Sequence, residues 1–480
     1  MSGNLWCSSD AIIATGGEST KDWVADGIST DSRNLNKGDM FVALSDKRDG
    51  HDFVREAFEH GASVAVVSKI PPGVSNDKAL LIVPDVLKAL NSLALFARQR
   101  FPGTVIAITG SVGKTGTKDM LSEALSAFGK VHKAQRSYNN HIGVPLTLAL
   151  IPKDAQFVVL EIGMNNKGEI APLSLMSAPH ITLITSLGEA HLGNLLSLEN
   201  IMLEKATICA GLKPGSICVI PSDTKLSKKL SKAVTKKGIK AISFGRENRP
   251  DFILKDVRVA KNITCARMNT PNGLESYFKV NSPGIHHATN AVGVIAILES
   301  LDLDTARGIM KLASWVPSSG RGFVTEIEIE GQTYTGILTV IDETYNANPQ
   351  SVGAAIDLLS KFDSDQFRAQ IPRQRKIAIL GDMLELGSKE DEMHSALIDT
   401  LNLAYVDKIH CVGMRMRSFY NVLPLTKKGE WFKCVDEITP IVNKLVNIGD
   451  VVMLKASHSV GLSKVVDRLK SKGRLLESKI

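Results

Sequence analysis

The sequence predicts an α/β protein with three domains, and two observations support that prediction. Short apolar runs rich in β-branched residues alternate with helical patterns, which is typical of parallel sheets covered by helices on both faces. The chain has 480 residues, and domains of roughly 150 residues are common, so about three are expected. The predicted domain boundaries lie at two clusters of residues that interrupt regular secondary structure, Phe101-Pro102-Gly103 and Trp315-Val316-Pro317. The predicted domains are residues 1–101, 102–315 and 316–480.

The N-terminal region contains short apolar runs and two helical patterns. β-branched enrichment and flanking turn residues favour strands for the runs. The predicted strands are Met40–Leu44, Ala62–Val67 and Leu80–Val83, and the predicted helices are Phe53–His60 and Val86–Arg100.

The central region opens with a buried-strand pattern, Val105–Thr109, which a Gly-rich turn joins to a helical pattern from Lys114 to about Phe128. Its further predicted elements are the strands Phe157–Ile162, Ile181–Thr185, Ile217–Ile220 and Ala241–Phe244, and the helix His286–Ser300. The C-terminal region repeats the alternation and predicts a smaller, Rossmann-like domain. Its predicted strands are Lys376–Leu380, Lys408–Val412 and Val451–Leu454.

Composition and charge argue against several classes of protein. The net charge of +7 is mild for this length, and the lysines between Lys225 and Lys240 lack interleaved aromatics, so we expect no nucleic-acid partner. No apolar stretch approaches the roughly 20 residues that span a bilayer, and the N-terminus lacks signal-peptide features. Six scattered cysteines without a CxxC pair suit a reducing compartment. We therefore expect a cytoplasmic protein that does not bind membranes.

The clearest chemical signal is Gly110-Ser111-Val112-Gly113-Lys114-Thr115, which lies between the first central strand and its helix. Glycines let backbone N–H groups converge on an anion, and the helix N-terminus adds a positive dipole end. Lys114 is expected to reach the outer phosphates of ATP, and Thr115 to join a Mg²⁺ shell. The common pattern has Gly where this chain has Ile108, so the loop is shortened. The alternative interpretation is an incidental turn.

Several longer motifs follow in a fixed order. They are TDSR at Thr30–Arg33, DGHDF at Asp49–Phe53, YNNHIGVPLTL at Tyr138–Leu148, EIGMNNKGEI at Glu161–Ile170, the stretch Thr185–His191, YNANP at Tyr345–Pro349, and LGDMLELG at Leu380–Gly387. With the phosphate loop, they resemble the Mur ligase family over nearly the whole chain. YNANP and LGDMLELG resemble the branch that adds D-Ala-D-Ala, and the DNPR-type motif of the tripeptide-forming branch does not occur.

The resemblance implies an ATP-dependent, ADP-forming amide ligase of peptidoglycan precursor synthesis. Such an enzyme phosphorylates the carboxylate of UDP-MurNAc-tripeptide, and the amine of D-Ala-D-Ala attacks the acyl-phosphate to give a tetrahedral intermediate. The resemblance also implies an N-terminal UDP-sugar-binding domain, a central ATP-binding domain, and a C-terminal domain that closes over ATP and the amino substrate. We expect a monomer.

The resemblance also assigns catalytic and metal-binding roles, with Lys114 counted among the catalytic residues. Glu161 and His191 are expected to bind Mg²⁺, of which two ions are expected. Lys205 corresponds to a lysine that the family carbamylates into an anionic ligand. The alternatives are a surface carboxylate for Glu161, a structural histidine for His191 and a plain helix-surface lysine for Lys205.

The remaining ATP contacts implied by the resemblance lie later in the chain. Asn290 corresponds to an adenine contact, although His287 stands where relatives usually carry Asn. Arg321 corresponds to an arginine that reaches the phosphates, for which a planar guanidinium is well suited. Either Asp342 or Glu343 corresponds to the ribose contact, since relatives usually carry two Asp residues there.

The resemblance also implies contacts with the substrates. The uridine-nucleotide site is expected at Thr30, Asp31, Ser32 and Arg33, the muramyl-peptide contacts at Asn139, Asn140 and His141, and the acceptor side at Asn346 and Asn348. The alternative is that these residues are polar turn residues of ordinary loops, without a role in binding. The third tripeptide residue, diaminopimelate or lysine, is left open.

Two other functions are kept as alternatives. A folylpolyglutamate-type ligase would share the phosphate loop and the metal carboxylate, although it is not expected to carry YNANP with LGDMLELG. A non-catalytic nucleotide-binding regulator is suggested by departures from the family pattern at Val112, Gly116 and Ser457-His458. Against the regulator, Lys114, Thr115, Glu161, His191 and Lys205 are all present together.

Overall fold

A computed structural model shows the fold. It describes residues 4–45, 48–75, 77–135, 137–188, 195, 197–260, 262–330, 335–362, 375–400 and 402–476. Three large sheets lie within residues 18–82, 104–280 and 323–476. The α/β class is confirmed, and the domain limits at 101/102 and 315/316 stay predictions.

The N-terminal sheet is parallel except at one edge. Its described strands lie in the spatial order Glu18–Ser19, Leu80–Ile82, Val64–Val67, Asp39–Val42 and Gly27–Ser29. Trp6–Cys7 pairs with Val24–Ala25 in a separate ribbon. The helices are Ser8–Thr15, Val54–Glu59 and Val86–Arg100. Asp85 caps the last of these by accepting a hydrogen bond from the Lys88 N–H, so this helix begins at the predicted residue.

The central sheet has nine strands among the described residues. Their spatial order is Glu275–Val280, Thr264–Asn269, Phe252–Val259, Lys240–Gly245, Ile217–Pro221, Ile181–Ile184, Thr104–Thr109, Phe157–Glu161 and Val131–Lys133. Separate apolar clusters cover its two faces. The helices are Lys114–Leu125, Gly143–Ala149, Ile170–Ser177, Leu198–Ala206, Ser227–Thr235, Ile285–Ser300 and Thr305–Leu312.

Part of the central sheet was not predicted. The strands Phe252–Val259, Thr264–Asn269 and Glu275–Val280 form an antiparallel extension at one edge. Outward-facing positions on these strands carry charged residues, such as Lys255 and Lys279, so no continuous apolar run marks them.

The C-terminal sheet combines a parallel part with an antiparallel hairpin. Its described strands lie in the order Lys428–Phe432, Lys408–Val412, Lys376–Gly381, Val451–Lys455, Thr335–Glu343, Phe323–Glu330 and Arg474–Leu476. The helices are Pro349–Lys361, Glu390–Ser395, Leu397–Thr400, Met416–Val422, Val435–Ile438, Val442–Leu445 and Ser463–Lys470. In the described part of the chain, no helix has the length and apolar character needed to cross a bilayer.

The arrangement of the sheets places chemistry at the carboxyl ends of their strands. The central strands Thr104–Thr109 and Phe157–Glu161 are parallel neighbours, and so are the C-terminal strands Thr335–Glu343 and Val451–Lys455. Residues at or just after the ends of these four strands line one cavity of about 270 Å³. Open α/β sheets bind ligands at this edge.

Candidate active site

The phosphate loop connects the strand Thr104–Thr109 to the helix Lys114–Leu125. Gly113 precedes the helix with φ +87°, a left-handed conformation that favours glycine. A Cβ there would also lie 2.8 Å from Asn290 Nδ2, so this glycine allows the adenine-contact candidate to approach the loop. Gly110 has φ +153°, and a side chain there would collide with Thr185 Oγ1.

Ser111 holds the loop in place from the side. Its hydroxyl donates to the Gly188 carbonyl at 3.0 Å and accepts from the Gly188 N–H at 2.9 Å. This reciprocal pair joins the phosphate loop to the segment that follows the strand Ile181–Ile184.

Lys114 folds back over its own loop. Its Nζ donates to the Gly110 carbonyl at 2.7 Å, and burial lowers the pKa of the amine, while the charge of Glu161 opposes that shift. A partly buried ammonium beside the backbone N–H groups of this loop favours the binding of an anion.

Thr115 and Glu161 form the centre of the site. The Thr115 hydroxyl donates to Glu161 Oε2 at 2.6 Å, and Asn139 Nδ2 donates to Glu161 Oε1 at 2.7 Å. Glu161 is 2% exposed, and the ion pairs formed by described residues do not include it. A buried carboxylate surrounded by neutral donors attracts a cation.

Arg321 reaches this centre from the C-terminal part of the chain. Its Nη2 donates to Ser137 Oγ at 2.8 Å, and Ser137 Oγ lies 3.0 Å from Thr115 Oγ1. The guanidinium carbon lies 3.7 Å from the centre of the Tyr345 ring, a cation–π contact that fixes its orientation. Residues 184 positions apart in sequence therefore meet at one hydroxyl.

Lys205 is buried on the helix Leu198–Ala206 and is 2% exposed. Burial, with a smaller contribution from the charge of Lys114, lowers the pKa of Lys205 well below its usual range. The plain surface-lysine interpretation is therefore wrong. The adjacent Glu204 accepts a hydrogen bond from the Ile170 N–H at 3.1 Å.

His191 lies outside the described residues, so its predicted role stays a prediction. In the part of the chain that the structure describes, no group of three or more His, Cys, Asp or Glu side chains could hold a metal. The described oxygen ligands that remain for a cation are Thr115 and Glu161.

A second cavity, of about 220 Å³, adjoins the phosphate loop. Asn290 and Thr289 line it on the central side, Glu343 on the C-terminal side, and Pro221 and Phe244 add apolar surface. A mostly apolar slot with an amide and a carboxylate at its rim fits a nucleobase and its sugar.

The two acids at the end of the strand Thr335–Glu343 have different surroundings, and the geometry separates their roles. Asp342 is 2% exposed and accepts hydrogen bonds from Ser319, Gly320 and Thr344. Glu343 lines both cavities, and its Oε2 accepts from Lys455 Nζ at 3.1 Å. Glu343 is the acid available to a ligand.

The TDSR motif divides into two pairs. Thr30 and Asp31 line a cavity of about 410 Å³ between the N-terminal and central sheets. Ser32 instead donates to Glu56 Oε2 at 3.0 Å, and Arg33 is exposed and paired with Asp31. The Arg33 hydrogen bonds hold the pKa of Asp31 at about 2, so this carboxylate stays charged at neutral pH.

The predicted peptide contacts Asn139, Asn140 and His141 do not lie in one place. Asn139 faces Glu161, whereas Asn140 and His141 line a different cavity of about 410 Å³ together with His51. The Asn140 side chain also accepts from the Gly143 N–H at 2.9 Å, next to the start of a helix.

Asn346 and Asn348 both line the phosphate-loop cavity, although their local roles differ. The Asn346 carbonyl accepts from Lys455 Nζ at 2.9 Å. Asn348 caps the helix Pro349–Lys361 through a reciprocal pair of hydrogen bonds with Ser351. A structural role therefore accounts for the Asn348 side chain.

The cavity residues that were not predicted as site residues include Ser137, His286, Tyr345 and Lys455. Two of them had a signal in the sequence. Tyr345 is the first residue of the YNANP motif, and Lys455 is a basic residue at the end of a predicted strand. Ser137 carries no such signal, because its importance arises only when Arg321 meets it.

Comparisons with known proteins identify related sequences and related folds. The Mur ligase middle domain family matches residues 108–298, and the family described as "Mur ligase, glutamate ligase domain" matches residues 328–458. A UDP-N-acetylmuramoyl-tripeptide–D-alanyl-D-alanine ligase of Rickettsia prowazekii is 31% identical, over 96% of this chain and 99% of its own.

Two solved structures share the fold. MurF from Acinetobacter baumannii has a TM-score of 0.82 at 27% identity, covering 97% of this chain and 99% of that one. MurF ligase from Thermotoga maritima, solved in complex with ADP, has a TM-score of 0.74 at 26% identity, covering 93% and 97%.

Proposed function

The chain belongs to the Mur ligase family, and from that premise we propose that it is an ATP-dependent ligase that adds D-Ala-D-Ala to UDP-MurNAc-tripeptide. One observation supports this most strongly. The phosphate loop, the buried Glu161 and the guanidinium of Arg321 converge on Ser137 and Thr115, so cations and metal ligands from two sheets surround a single point. Phosphoryl transfer between anions requires such a point.

The described residues fit Mg²⁺, because they offer hard oxygen ligands at short range. The Thr115 hydroxyl and the Glu161 carboxylate lie 2.6 Å apart, and neutral groups alone donate to that carboxylate among its described partners. We propose that Thr115 and Glu161 hold one Mg²⁺ and that His191 and Lys205 serve a second. Bound there, the metal supplies charge neutralisation for the transferring phosphoryl group.

The other residues of the chain position the reactants. The backbone N–H groups from Gly110 to Gly113 and the Lys114 amine bind the outer phosphates of ATP, and Arg321 orients the γ-phosphate. The carboxylate of UDP-MurNAc-tripeptide attacks the γ-phosphorus, so that ADP leaves and an acyl-phosphate forms. The amine of D-Ala-D-Ala then attacks the acyl carbon, and the tetrahedral intermediate expels phosphate.

Lys205 has the properties that a carbamate requires. Carbamate formation needs a neutral amine, and burial lowers the pKa of Lys205 in that direction. We propose that the neutral Lys205 amine attacks the carbon of CO₂ and loses a proton, so that it becomes a carbamate whose anionic oxygens would ligate a cation.

The substrate sites are proposed from their places in the fold. Thr30 and Asp31, in the cavity between the N-terminal and central sheets, are proposed to bind the UDP-sugar, with Ser32 and Arg33 supporting that loop. Asn139, Asn140, His141 and Asn346 are proposed to contact the peptide substrates. We also propose that the chain acts as a monomer in the cytoplasm, on small-molecule substrates and without a nucleic-acid or membrane partner.

The test is substrate-dependent ADP formation by the purified chain. We expect ADP release only when UDP-MurNAc-tripeptide and D-Ala-D-Ala are both present, with a product that has gained the dipeptide mass. Lys114→Ala should lower the rate at least a hundredfold, because a main phosphate contact is lost. The matched control is Lys232→Ala, on an exposed helix face.

Two results would contradict the proposal. Full-rate ADP release without the dipeptide would exclude this ligation, and stimulation by folate with glutamate in place of the cell-wall substrates would favour the folylpolyglutamate alternative. Ligation by the two tripeptides, with diaminopimelate or lysine at position three, can be compared in the same assay.

A further inference from the structure

Four side chains form a directional chain of hydrogen bonds across the site. Arg321 donates to Ser137, and the Thr115 hydroxyl lies within hydrogen-bond distance of both Ser137 and Glu161. The only proton of the Thr115 hydroxyl goes to the Glu161 carboxylate, which can only accept. Ser137 therefore donates to Thr115, and every donor in the chain points from the guanidinium towards the carboxylate.

A divalent cation at this centre is incompatible with that direction. A hydroxyl that ligates a cation directs a lone pair at the cation and its proton away from it. Glu161 would turn its oxygens to the same cation. Ser137 Oγ, 3.0 Å away, is then the described acceptor that remains for the Thr115 proton.

We propose that Ser137 is a positioning residue whose hydrogen bond with Thr115 reverses when a divalent cation occupies the Thr115–Glu161 site. This inference rests on the metal site of the proposed function. A hydroxyl oxygen accepts two hydrogen bonds, so after the reversal Ser137 accepts from Thr115 and Arg321 together. Its own proton becomes free for an anionic oxygen in the cavity that Ser137 lines.

The reversal couples the metal to the anionic substrates. Without the cation, the Ser137 proton is used by Thr115 and is unavailable to a phosphate or carboxylate. With the cation, the serine adds one hydrogen bond to the substrate oxygen and supports the Thr115 ligand. Ser137 is partly exposed, so its substitution removes the hydroxyl without opening a core cavity.

The experiment measures binding and requires no turnover. Calorimetry gives the affinity of a non-hydrolysable ATP analogue with a methylene bridge, with and without Mg²⁺, for the full chain and its variants. We expect Mg²⁺ to tighten binding of the analogue by the wild type. Ser137→Ala should lose roughly tenfold of that gain, while its affinity without Mg²⁺ stays within about threefold of the wild-type value. Ser137→Thr retains a hydroxyl and should keep the gain.

The control and the contrary results are defined by the same titrations. The control is Ser126→Ala, which should match the wild type. It removes an exposed hydroxyl that donates to the Glu123 carbonyl. A full Mg²⁺ gain in Ser137→Ala, or a loss in Ser137→Thr equal to that in Ser137→Ala, would overturn the reversal alone. A wild type without any Mg²⁺ gain would overturn the proposed metal site, and the reversal with it.

Discussion

Asp342 and Glu343 are adjacent acids whose surroundings assign them different functions. Asp342 accepts from four donors and leaves no oxygen for a ligand, so its charge organises the turn through Ser319, Gly320 and Thr344. Glu343 has the buried Lys455 as its partner and faces the nucleotide cavities. The sequence alone could not choose between them, because alternation along a strand does not reveal which side carries the ligand.

Exchanging each acid for its amide tests that division. Asp342→Asn places an NH₂ group against donors, so it should lower the free energy of unfolding by about 3 kcal/mol and change the KM for ATP less than threefold. Glu343→Gln should raise the KM for ATP roughly tenfold with a smaller stability loss. Steady-state kinetics and denaturant titration measure both, and a reversed pattern would assign the ligand contact to Asp342.

At the scale of single elements, local sequence signals set many boundaries. Asn348 and Pro349 start a helix as a cap and a first-turn proline, and Asp85 does the same for Val86–Arg100. The apolar runs predicted the buried strands of the three sheets to within one or two residues. The strand Phe323–Glu330 escaped prediction because Glu326, Glu328 and Glu330 interrupt its apolar residues. Its partner Thr335–Glu343 was also missed, although it contains a buried apolar run.

The helix cap gives a prediction that separates structure from binding at Asn348. Asn348→Ala removes the side-chain oxygen that accepts from the Ser351 N–H, so it should cost about 1 kcal/mol of stability. Asn348→Asp, which can still cap, should restore it. If instead the KM for D-Ala-D-Ala rises tenfold in Asn348→Ala at unchanged stability, then Asn348 is primarily a substrate contact.

The strand Lys408–Val412 gives a prediction about pH. Burial, with the charges of Lys408 and Arg375, lowers the pKa of His410 to about 4, and its Nδ1 accepts from the Glu430 N–H. Because the unfolded histidine titrates near 6.5, its unfolded state takes up the proton first as the pH falls. The stability that the folded protein gains from keeping His410 neutral is fully present above pH 6.5, and it is lost as the pH falls from 6.5 to 4.

Hydrogen exchange of the strand amides measures this loss. Between pH 7 and pH 4.5, the wild type should lose about 2 to 3 kcal/mol of local stability that His410→Gln does not lose, since the glutamine oxygen can still accept from Glu430. Equal losses in both proteins would mean that His410 is not the titrating group.

At the scale of the whole molecule, the site exists because three segments distant in sequence meet. The phosphate loop and Glu161 were predictable as a pair, since they follow parallel neighbouring strands. The contact of Arg321 with Ser137 was not predictable, because it depends on how the C-terminal sheet packs against the central sheet. The same limit applies to Asn140 and His141, which the packing of the N-terminal sheet takes to a separate cavity.

The central claim is that these segments transfer the γ-phosphoryl group of ATP to the tripeptide carboxylate before the amide bond forms. The most direct measurement uses UDP-MurNAc-tripeptide in which both oxygens of the C-terminal carboxylate are ¹⁸O, and mass spectrometry of the phosphate released during ligation. An acyl-phosphate leaves one carboxylate oxygen on phosphorus, so the account predicts one ¹⁸O atom in each phosphate. Phosphate without ¹⁸O, formed alongside the ligated product, would contradict it.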